Sequence, residues 1–215
     1  GILGSDKALG IIPCGSGDGL ALHLGLSRNF RKAYRTILAG KNALIDSATI
    51  NGRPFFSVCG VGFDATVSER FAASGKRGMF NYIRQGLKTW SDYQPEHYKI
   101  DLDGQRWETD AALITVGNSN QWGNGAKITP LADISDGTLN ITVVDMFKWT
   151  QMPSLGLRLM SGSLDKSPKV HCCRGQKITI TRERKGPAHA DGDWFMADEY
   201  LEINILPGSL KVIVP

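Results

Sequence analysis

The pattern of apolar and polar residues changes character near residue 41. Before it, an apolar run from Ala8 to Ile12 stops at Pro13, and an amphipathic pattern then continues to Ala39-Gly40. This order predicts one strand followed by one long helix, because a glycine after an amphipathic run is a typical helix end. Beyond residue 41, short apolar segments are separated by Gly, Asn, Asp or Pro, which is typical of short strands and turns.

The second region is predicted to be rich in strands. Asn51-Gly52 and Asp103-Gly104 favour hairpins, because such pairs accept the left-handed backbone of a two-residue turn. The predicted strands are 43–50, 54–61, 97–102, 106–116, 137–144, 169–173, 177–182, 194–196, 200–205 and 210–214, and the predicted helices are 64–73, 79–93 and 149–160. The sequence therefore predicts an α+β fold, with a βα unit over residues 1–41 and a β-rich, sandwich-like domain over residues 42–215.

Composition narrows the class of protein. Hydrophobic residues make up 41% and charged residues 21% of the 215 positions, which is ordinary for a globular domain. No apolar run approaches the ~20 residues of a membrane span, and no signal peptide is visible. The net charge of +4 slightly favours acidic partners such as nucleotides or anionic lipid surfaces, and it gives no indication of nucleic-acid binding.

The four cysteines indicate the compartment. Cys14, Cys59, Cys172 and Cys173 lack the spacing of metal ligands, and the adjacent pair cannot easily bridge to each other. Free, buried thiols in a reducing cytoplasm are the better interpretation, so the sequence predicts a cytoplasmic protein.

A glycine-rich turn links the first predicted strand to the helix. Gly15, Gly17 and Gly19 occupy alternate positions, and Ser16 adds a hydroxyl donor. A turn between a strand and a helix can direct backbone N–H groups at an anion, most often a phosphate. Taken alone, the pattern slightly favours a tight turn that binds nothing.

Further stretches give this turn a context. PCGSGDGLALHLG resembles the P-x-G-[ST]-x-N loop of the diacylglycerol kinase and sphingosine kinase superfamily. Additional matches follow in the expected order: GVGFDA (residues 60–65), NSNQWGNGAKITPLADISDGTL (118–139), DGD (191–193) and LKVIVP (210–215). The resemblance covers almost the whole chain and is most specific in residues 60–65 and 118–139.

One family signature does not occur. The family's G-G-D-G-T segment lies upstream of the glycine loop, and residues 1–15 do not match it. The resemblance therefore implies the C-terminal portion of a lipid kinase of the bacterial type, cut just before the loop. Residues 1–41 would then be the βα edge of a truncated nucleotide-binding α/β domain.

The resemblance implies an activity for the intact protein. It would transfer the γ-phosphoryl group of ATP to a lipid hydroxyl, using Mg²⁺ to neutralise charge. The GSG form of the loop leans slightly towards sphingosine kinases. The fragment by itself is expected to be inactive. Transient contact with a membrane surface and a homodimer through the edge of the first strand are both compatible with the sequence.

The resemblance places the nucleotide phosphates at Gly15, Ser16, Gly17 and Asp18. Ser16 could serve instead as a helix N-cap, a role that Asp18 could fill equally. Most relatives have Asn at the position of Asp18. A carboxylate only accepts hydrogen bonds and brings negative charge close to phosphate, so this difference argues against tight nucleotide binding.

Three other positions have two interpretations each. Lys76 and Arg77 match a loop where relatives place basic residues near the phosphates, although solvated surface charge explains them at least as well. Asp64, in GVGFDA, is implied to lie near the lipid headgroup and is equally suited to cap a helix.

Two acidic segments complete the implied site. Asp193 takes the position of the Glu in the family's D-G-E motif, which is proposed to accept the proton of the lipid hydroxyl, but its side chain is one methylene shorter. The Asp136 carboxylate, with the backbone carbonyls of Asp133 and Thr138, would bind a structural divalent cation such as Mg²⁺. Both segments could also be plain turns, since Asp-Gly pairs are common in turns.

Two alternatives to a lipid kinase stay open. The first is a kinase related to NAD kinases, although residues 118–139 and 191–193 fit the lipid branch better. The second is a non-catalytic lipid-binding or regulatory domain, which the substitutions at Asp18 and Asp193 favour.

Overall fold

The computed structural model describes residues 1–75 and 79–215, so the predicted phosphate-binding residues Lys76 and Arg77 lie outside the described residues. The strands are β1 (Ala8–Leu9), β2 (Asn42–Ile50), β3 (Arg53–Phe55), β4 (Val58–Gly62), β5 (Glu96–Leu102), β6 (Gln105–Ala111), β7 (Leu113–Gly117), β8 (Leu139–Val144), β9 (Val170–Gly175), β10 (Lys177–Arg182), β11 (Gly186–Ala190), β12 (Asp193–Ala197) and β13 (Tyr200–Ile213). The helices are α1 (Gly19–His23), α2 (Phe30–Ala39), α3 (Phe63–Ala73), α4 (Met79–Trp90) and α5 (Met152–Ser161), with short 3₁₀ turns at Trp149–Gln151 and Leu164–Lys166.

The strands form two antiparallel sheets. The first sheet has the order β3-β2-β13-β10-β5-β6, and β1 adds a short parallel pairing to β13. The second sheet has the order β12-β11-β4-β7-β8-β9. The prediction of a β-rich, sandwich-like domain with few helices is therefore confirmed.

One hydrophobic core lies between the sheets. The first sheet contributes Ile100, Ile178 and Ile203, and the second contributes Ile114 and Ile141, all at most 1% exposed. In β10, apolar residues alternate with Lys and Thr, so one face packs inward while the other faces solvent. In contrast, β7 and β8 are buried at every position, because the outer side of their sheet is also covered.

Helix α5 supplies part of that cover. Leu155 and Leu159 of α5 pack on a second cluster that includes Leu113, Val144 and Val170 of the second sheet. No helix in the described ranges is both long enough and apolar enough to cross a bilayer. The four cysteines are free thiols, as predicted, but the prediction that they are buried holds for Cys59 alone, since Cys14 and Cys173 are exposed.

The predicted long helix before residue 41 is wrong in one respect. The chain forms the five-residue α1, breaks at Gly25 with φ 74°, and restarts as α2, where the Asn29 side chain caps the first turn by accepting from the Lys32 amide. The predicted end at Ala39-Gly40 is confirmed, since Gly40 takes the left-handed conformation. The preceding strand is also shorter than predicted, because only Ala8 and Leu9 find a partner, in β13.

Candidate functional site

The glycine loop and the Asp191–Asp193 turn meet at one cleft. The cleft has a volume of about 660 Å³ and is lined by residues 15–21, Phe56 to Val58, Ser68 and Phe71 of α3, Trp122, Gly123 and Ala126, and residues 189 and 191–193. Segments that are more than 170 positions apart in the sequence thus share one surface. Gly15, Ser16, Gly17, Asp18 and Asp193, which the family resemblance assigns to one site, all contribute to it.

The glycine loop is braced by the loop at residues 121–125. Gly17 and Gly123 approach so closely that a Cβ atom on Gly123 would lie 2.9 Å from the Gly17 Cα, so no larger residue fits there. The backbone N–H of Asn124 donates to the Gly17 carbonyl at 2.9 Å, and the side-chain amide of Asn124 donates to the Ser16 carbonyl. These contacts fix the backbone of the loop from one side.

The Asp18 side chain forms a hydrogen bond within the glycine loop and an ion pair with Arg28. Its Oδ1 accepts from the Gly15 amide at 2.9 Å, and its Oδ2 lies 3.4 Å from Nε of Arg28. Arg28 in turn donates to the Gly17 carbonyl at 3.2 Å. Asp18 begins α1 without a capping hydrogen bond from its side chain, so the alternative in which Ser16 or Asp18 caps the helix through its side chain is wrong.

Two loop amides remain available. Among the described residues, nothing accepts a hydrogen bond from the backbone N–H of Ser16 or Gly17, whereas the Gly15 N–H is taken by Asp18. Donors of this kind, next to a hydroxyl and a glycine, suit an anionic ligand. The short α1 adds little to this, since it offers barely more than one helical turn.

The Asp191–Asp193 turn is anchored in the sandwich. Asp191 has the left-handed φ of 51°, and its carboxylate accepts from the backbone amides of Phe56, Ser57 and Val58 at 2.8, 2.7 and 3.1 Å. Although the residue keeps exposed surface, desolvation of the carboxyl raises the pKa of Asp191, and these three hydrogen bonds act in the opposite direction. Asp191 therefore fastens the turn to the link between β3 and β4.

Asp193 is placed differently from Asp191. It starts β12, is exposed, and within the described chain no donor reaches its carboxylate. An exposed, unengaged carboxylate at a cleft wall is free to accept a proton from a bound ligand. Its predicted role as the base stays a prediction.

Asp64 lies beneath the cleft and not on its surface. Its side chain is 2% exposed, and Oδ2 accepts from the Thr115 hydroxyl at 2.9 Å and lies 3.0 Å from Nε2 of His189. Its Oδ1 accepts from the Ala65 amide, next to the start of α3. The geometry gives Asp64 a buried anchoring position, and its predicted place near a lipid headgroup stays a prediction.

His189 is the functional candidate that the sequence analysis missed. It lines the cleft, is 2% exposed, and its Nδ1 is buried without a hydrogen-bond partner among the described residues. The available signal was position, since His189 lies two residues before Asp191 and adjoins the DGD segment. The strand itself, β11, was not predicted.

The predicted cation site forms a turn away from the cleft. The Asp136 Oδ1 accepts from the Thr138 amide and hydroxyl at 2.9 and 2.7 Å, and Asp133 caps Ser135 in the same way. No group of three His, Cys, Asp or Glu side chains suited to a metal occurs in the part of the chain that the structure describes. The possible ligands are one carboxylate, that of Asp136, and backbone carbonyls, and they fit only a hydrated hard cation. The Arg174 guanidinium lies 3.7 Å from the same carboxylate.

The fold and the cleft define a class: a β-sandwich with a phosphate-loop-like turn at its rim. Comparisons give the family. The model of the YegS C-terminal NAD kinase beta sandwich-like domain matches residues 57–214, and the model of the diacylglycerol kinase catalytic domain matches residues 1–50. The chain therefore belongs to the family of diacylglycerol kinases and YegS-like lipid kinases, which are phosphotransferases, and the resemblance drawn from its loops is confirmed.

Individual relatives agree with this assignment. The chain is 32% identical to a diacylglycerol kinase of Mycobacterium tuberculosis (strain CDC 1551 / Oshkosh), over the whole of this chain and 71% of that protein. It is 26% identical to the "Probable lipid kinase YegS-like" of Enterobacter sp. (strain 638), over 97% of this chain and 69% of that protein. The predicted division near residue 41 stays a prediction.

Solved structures show the same fold. A diacylglycerol kinase structure from Bacillus anthracis str. Sterne superimposes with a TM-score of 0.71 at 21% identity, covering 97% of this chain and 67% of that one. A second structure from the same organism gives a TM-score of 0.76 at 23% identity, covering 97% and 69%.

Proposed function

We propose that this chain forms the acceptor side and one phosphate-binding wall of an ATP-dependent kinase that phosphorylates a lipid hydroxyl, either diacylglycerol-like or sphingosine-like. The observation that carries this proposal is the meeting of the glycine loop and the Asp191–Asp193 turn in one cleft. Phosphoryl transfer depends on holding the phosphates and the acceptor hydroxyl together, and these two segments can supply one function each.

In this arrangement the free amides of Ser16 and Gly17 bind phosphate oxygens, and Asp193 takes the proton of the acceptor hydroxyl. Asp191 and the buried Asp64–His189 pair hold the turn that carries Asp193. Mg²⁺, when bound, would neutralise phosphate charge, and the turn at Asp136 would hold a separate structural cation through Asp136 and the carbonyls of Asp133 and Thr138.

The test is radiolabelled phosphate transfer from ATP by the intact protein to diacylglycerol, sphingosine and NAD in parallel. Asp193 is exposed and has no side-chain partner among the described residues, so Asp193→Asn is expected to fold normally and to lower turnover by about 10²–10⁴ while ATP binding persists. Asp198→Asn, which changes another exposed acid outside the cleft lining, serves as the matched control. Full turnover in Asp193→Asn would contradict the base role, and transfer to NAD alone would contradict the lipid acceptor.

For residues 1–215 alone, we propose no kinase activity and an ATP affinity no tighter than about millimolar, roughly 4 kcal/mol. The sequence contains no G-G-D-G-T segment, and of the three amides at Gly15, Ser16 and Gly17 one is already occupied. Calorimetry that shows micromolar ATP binding by these residues would contradict this proposal.

One observation favours a second candidate, a non-catalytic lipid-binding domain. The Asp18 carboxylate occupies the Gly15 amide that a phosphate oxygen would otherwise use, and it adds negative charge to the loop. In that case the intact protein would bind lipid vesicles or micelles and transfer no phosphate to any acceptor of the panel.

A further inference from the structure

Helix α5 and the 3₁₀ turn that precedes it expose an apolar stripe to solvent. Trp149 is 49% exposed, Leu157 72% and Met160 55%, and Pro153, also exposed, lies between Trp149 and Leu157 at helical spacing. These four residues are called the α5 patch below. Clustered large apolar side chains on a surface typically mark a site of interaction.

The opposite side of the same helix is already packed. Leu155 and Leu159 contact the second hydrophobic cluster, next to Ile128 and Trp122. A surface helix is normally polar on the side that faces water. Helix α5 is therefore apolar on two sides. Its inner side packs against the second hydrophobic cluster, whereas its outer side is exposed and could bury its apolar side chains in another apolar environment.

A lysine lies close to each end of the patch. Arg158 is the only ionisable residue of α5, and it turns back to the Ser163 carbonyl. Lys148 directly precedes Trp149, and the Lys127 side chain lies against Gly162 just past the helix end, where a Cβ would meet its Cδ at 2.8 Å. Of the acids in the flanking segments, Asp145 faces His171 at 3.5 Å and Asp165 lies beyond the helix.

The Met160 end of the patch adjoins the loop that forms part of the cleft wall. The Lys127 amide donates to the Leu159 carbonyl at 2.9 Å, and the Met160 methyl lies 3.8 Å from the Cβ position of Gly125. The same loop, residues 121–126, supplies Trp122, Gly123 and Ala126 to the cleft. Whatever binds the α5 patch is therefore held next to the cleft.

We propose that the α5 patch docks on the surface of an anionic lipid bilayer, with its apolar side chains among the acyl chains and Lys148 and Lys127 at the headgroups. This inference rests on the proposed function in one respect, namely that a lipid acceptor must be reached from a membrane. Apolar residues flanked by cations are the combination that binds such surfaces in the plane of the interface.

The test is co-sedimentation of the chain with vesicles of phosphatidylcholine, with and without phosphatidylserine, in the absence of ATP. Binding is expected to be stronger with phosphatidylserine, to weaken with salt, and to fall by about tenfold or more in Leu157→Ser/Met160→Ser. Both residues are exposed, so the variant is expected to fold, which circular dichroism checks. Emission of Trp149 should shift to the blue with vesicles, and Trp149→Phe should remove that shift.

A matched control uses exposed leucines that lie elsewhere in the fold. Leu44 of β2 is 59% exposed, and Leu131 is 43% exposed. Leu44→Ser/Leu131→Ser is expected to leave vesicle binding unchanged. Loss of binding in this variant only, or equal binding by the α5 variant and the unchanged chain, would overturn the proposal. A change from dimer to monomer in the α5 variant during size-exclusion chromatography would assign the patch to a second copy and overturn it as well.

Failure of the docking proposal is distinguishable from failure of the kinase proposal. Vesicle binding uses neither ATP nor a phosphorylatable lipid, so it can succeed when no phosphate transfer is found. Transfer to a lipid in detergent micelles without any vesicle binding would reject docking by α5 and leave the kinase proposal standing.

Discussion

Two aspartates with nearly the same left-handed backbone line the cleft, yet their carboxylates are held in different ways. Asp18 has φ 52° and Asp191 has φ 51°. Asp18 contacts its own loop and the half-exposed side chain of Arg28, whereas Asp191 accepts three backbone amides from the link between β3 and β4. The Asp191 turn is thus part of the sandwich, and the glycine loop is attached to it. Mutations in the Asp191 turn should therefore lower the stability of the fold, whereas mutations in the glycine loop should change ligand binding.

The largest effect is expected from Gly60→Ala, beneath the Asp191 turn. A Cβ there would meet the Asp64 Oδ2 at 2.6 Å and both the His189 Nε2 and the Ile114 carbonyl at 2.9 Å. Since neither the buried pair nor the backbone can move away cheaply, the variant should lose about 3 kcal/mol of unfolding free energy, measured by urea denaturation. Gly86→Ala, where nothing lies within 4 Å, is the control and should be neutral or slightly stabilising.

A smaller loss is expected from Asp191→Ala. Removing the carboxylate leaves the amides of Phe56, Ser57 and Val58 without their acceptor, which should cost about 2 kcal/mol in the same measurement. Asp103→Ala is the matched control for location, because Asp103 has φ 51° and accepts from the amides of Gln176 and Lys177 outside the cleft lining. Equal stability but a large effect on phosphate transfer in Asp191→Ala would contradict the anchoring role.

The smallest change in stability is expected from Asp18→Asn, on the glycine loop. Its contacts are with an exposed Arg and a loop amide, so the unfolding free energy should change by less than about 1 kcal/mol. Loss of the negative charge should instead strengthen ATP binding about threefold to tenfold, or roughly 0.7–1.4 kcal/mol, in a calorimetric titration. Asp198→Asn, outside the cleft lining, should leave ATP binding unchanged, and weaker ATP binding in Asp18→Asn would contradict the expected effect of this charge.

The sequence was informative wherever a local signal decides the structure. The hairpin at Asn51-Gly52 and the helix end at Gly40 follow from residues that accept a left-handed backbone, and both are found. The grouping of the glycine loop with residues 191–193 came from the family resemblance, because no local pattern relates segments so distant in the chain.

The points at which the chain passes from one sheet to the other, or continues through a bulge, were harder to predict. Residues 106–116 were expected to form one strand, but β6 ends at Ala111 and β7 starts at Leu113 in the other sheet. The alternation of β6 gives way there to a continuous apolar run, which is the signal of a strand buried on both faces. Conversely, Pro207-Gly208 suggested a break, yet β13 continues through it as a bulge, because the Gly208 amide is bound by the buried carboxylate of Asp46 at 2.7 Å.

The parallel pairing of β1 with β13 has a consequence for the order in which the chain folds. Ala8 pairs with Lys211 and Leu9 with Val212, so the strand that leads into the glycine loop finds its partner almost the whole length of the 215-residue sequence away. Contacts of such long sequence separation form late, since a large entropy of loop closure opposes them. During synthesis, residues 8–9 leave the ribosome long before residues 211–212 exist. The strand that leads into the glycine loop can therefore pair only after the last strand of the sandwich has been synthesised.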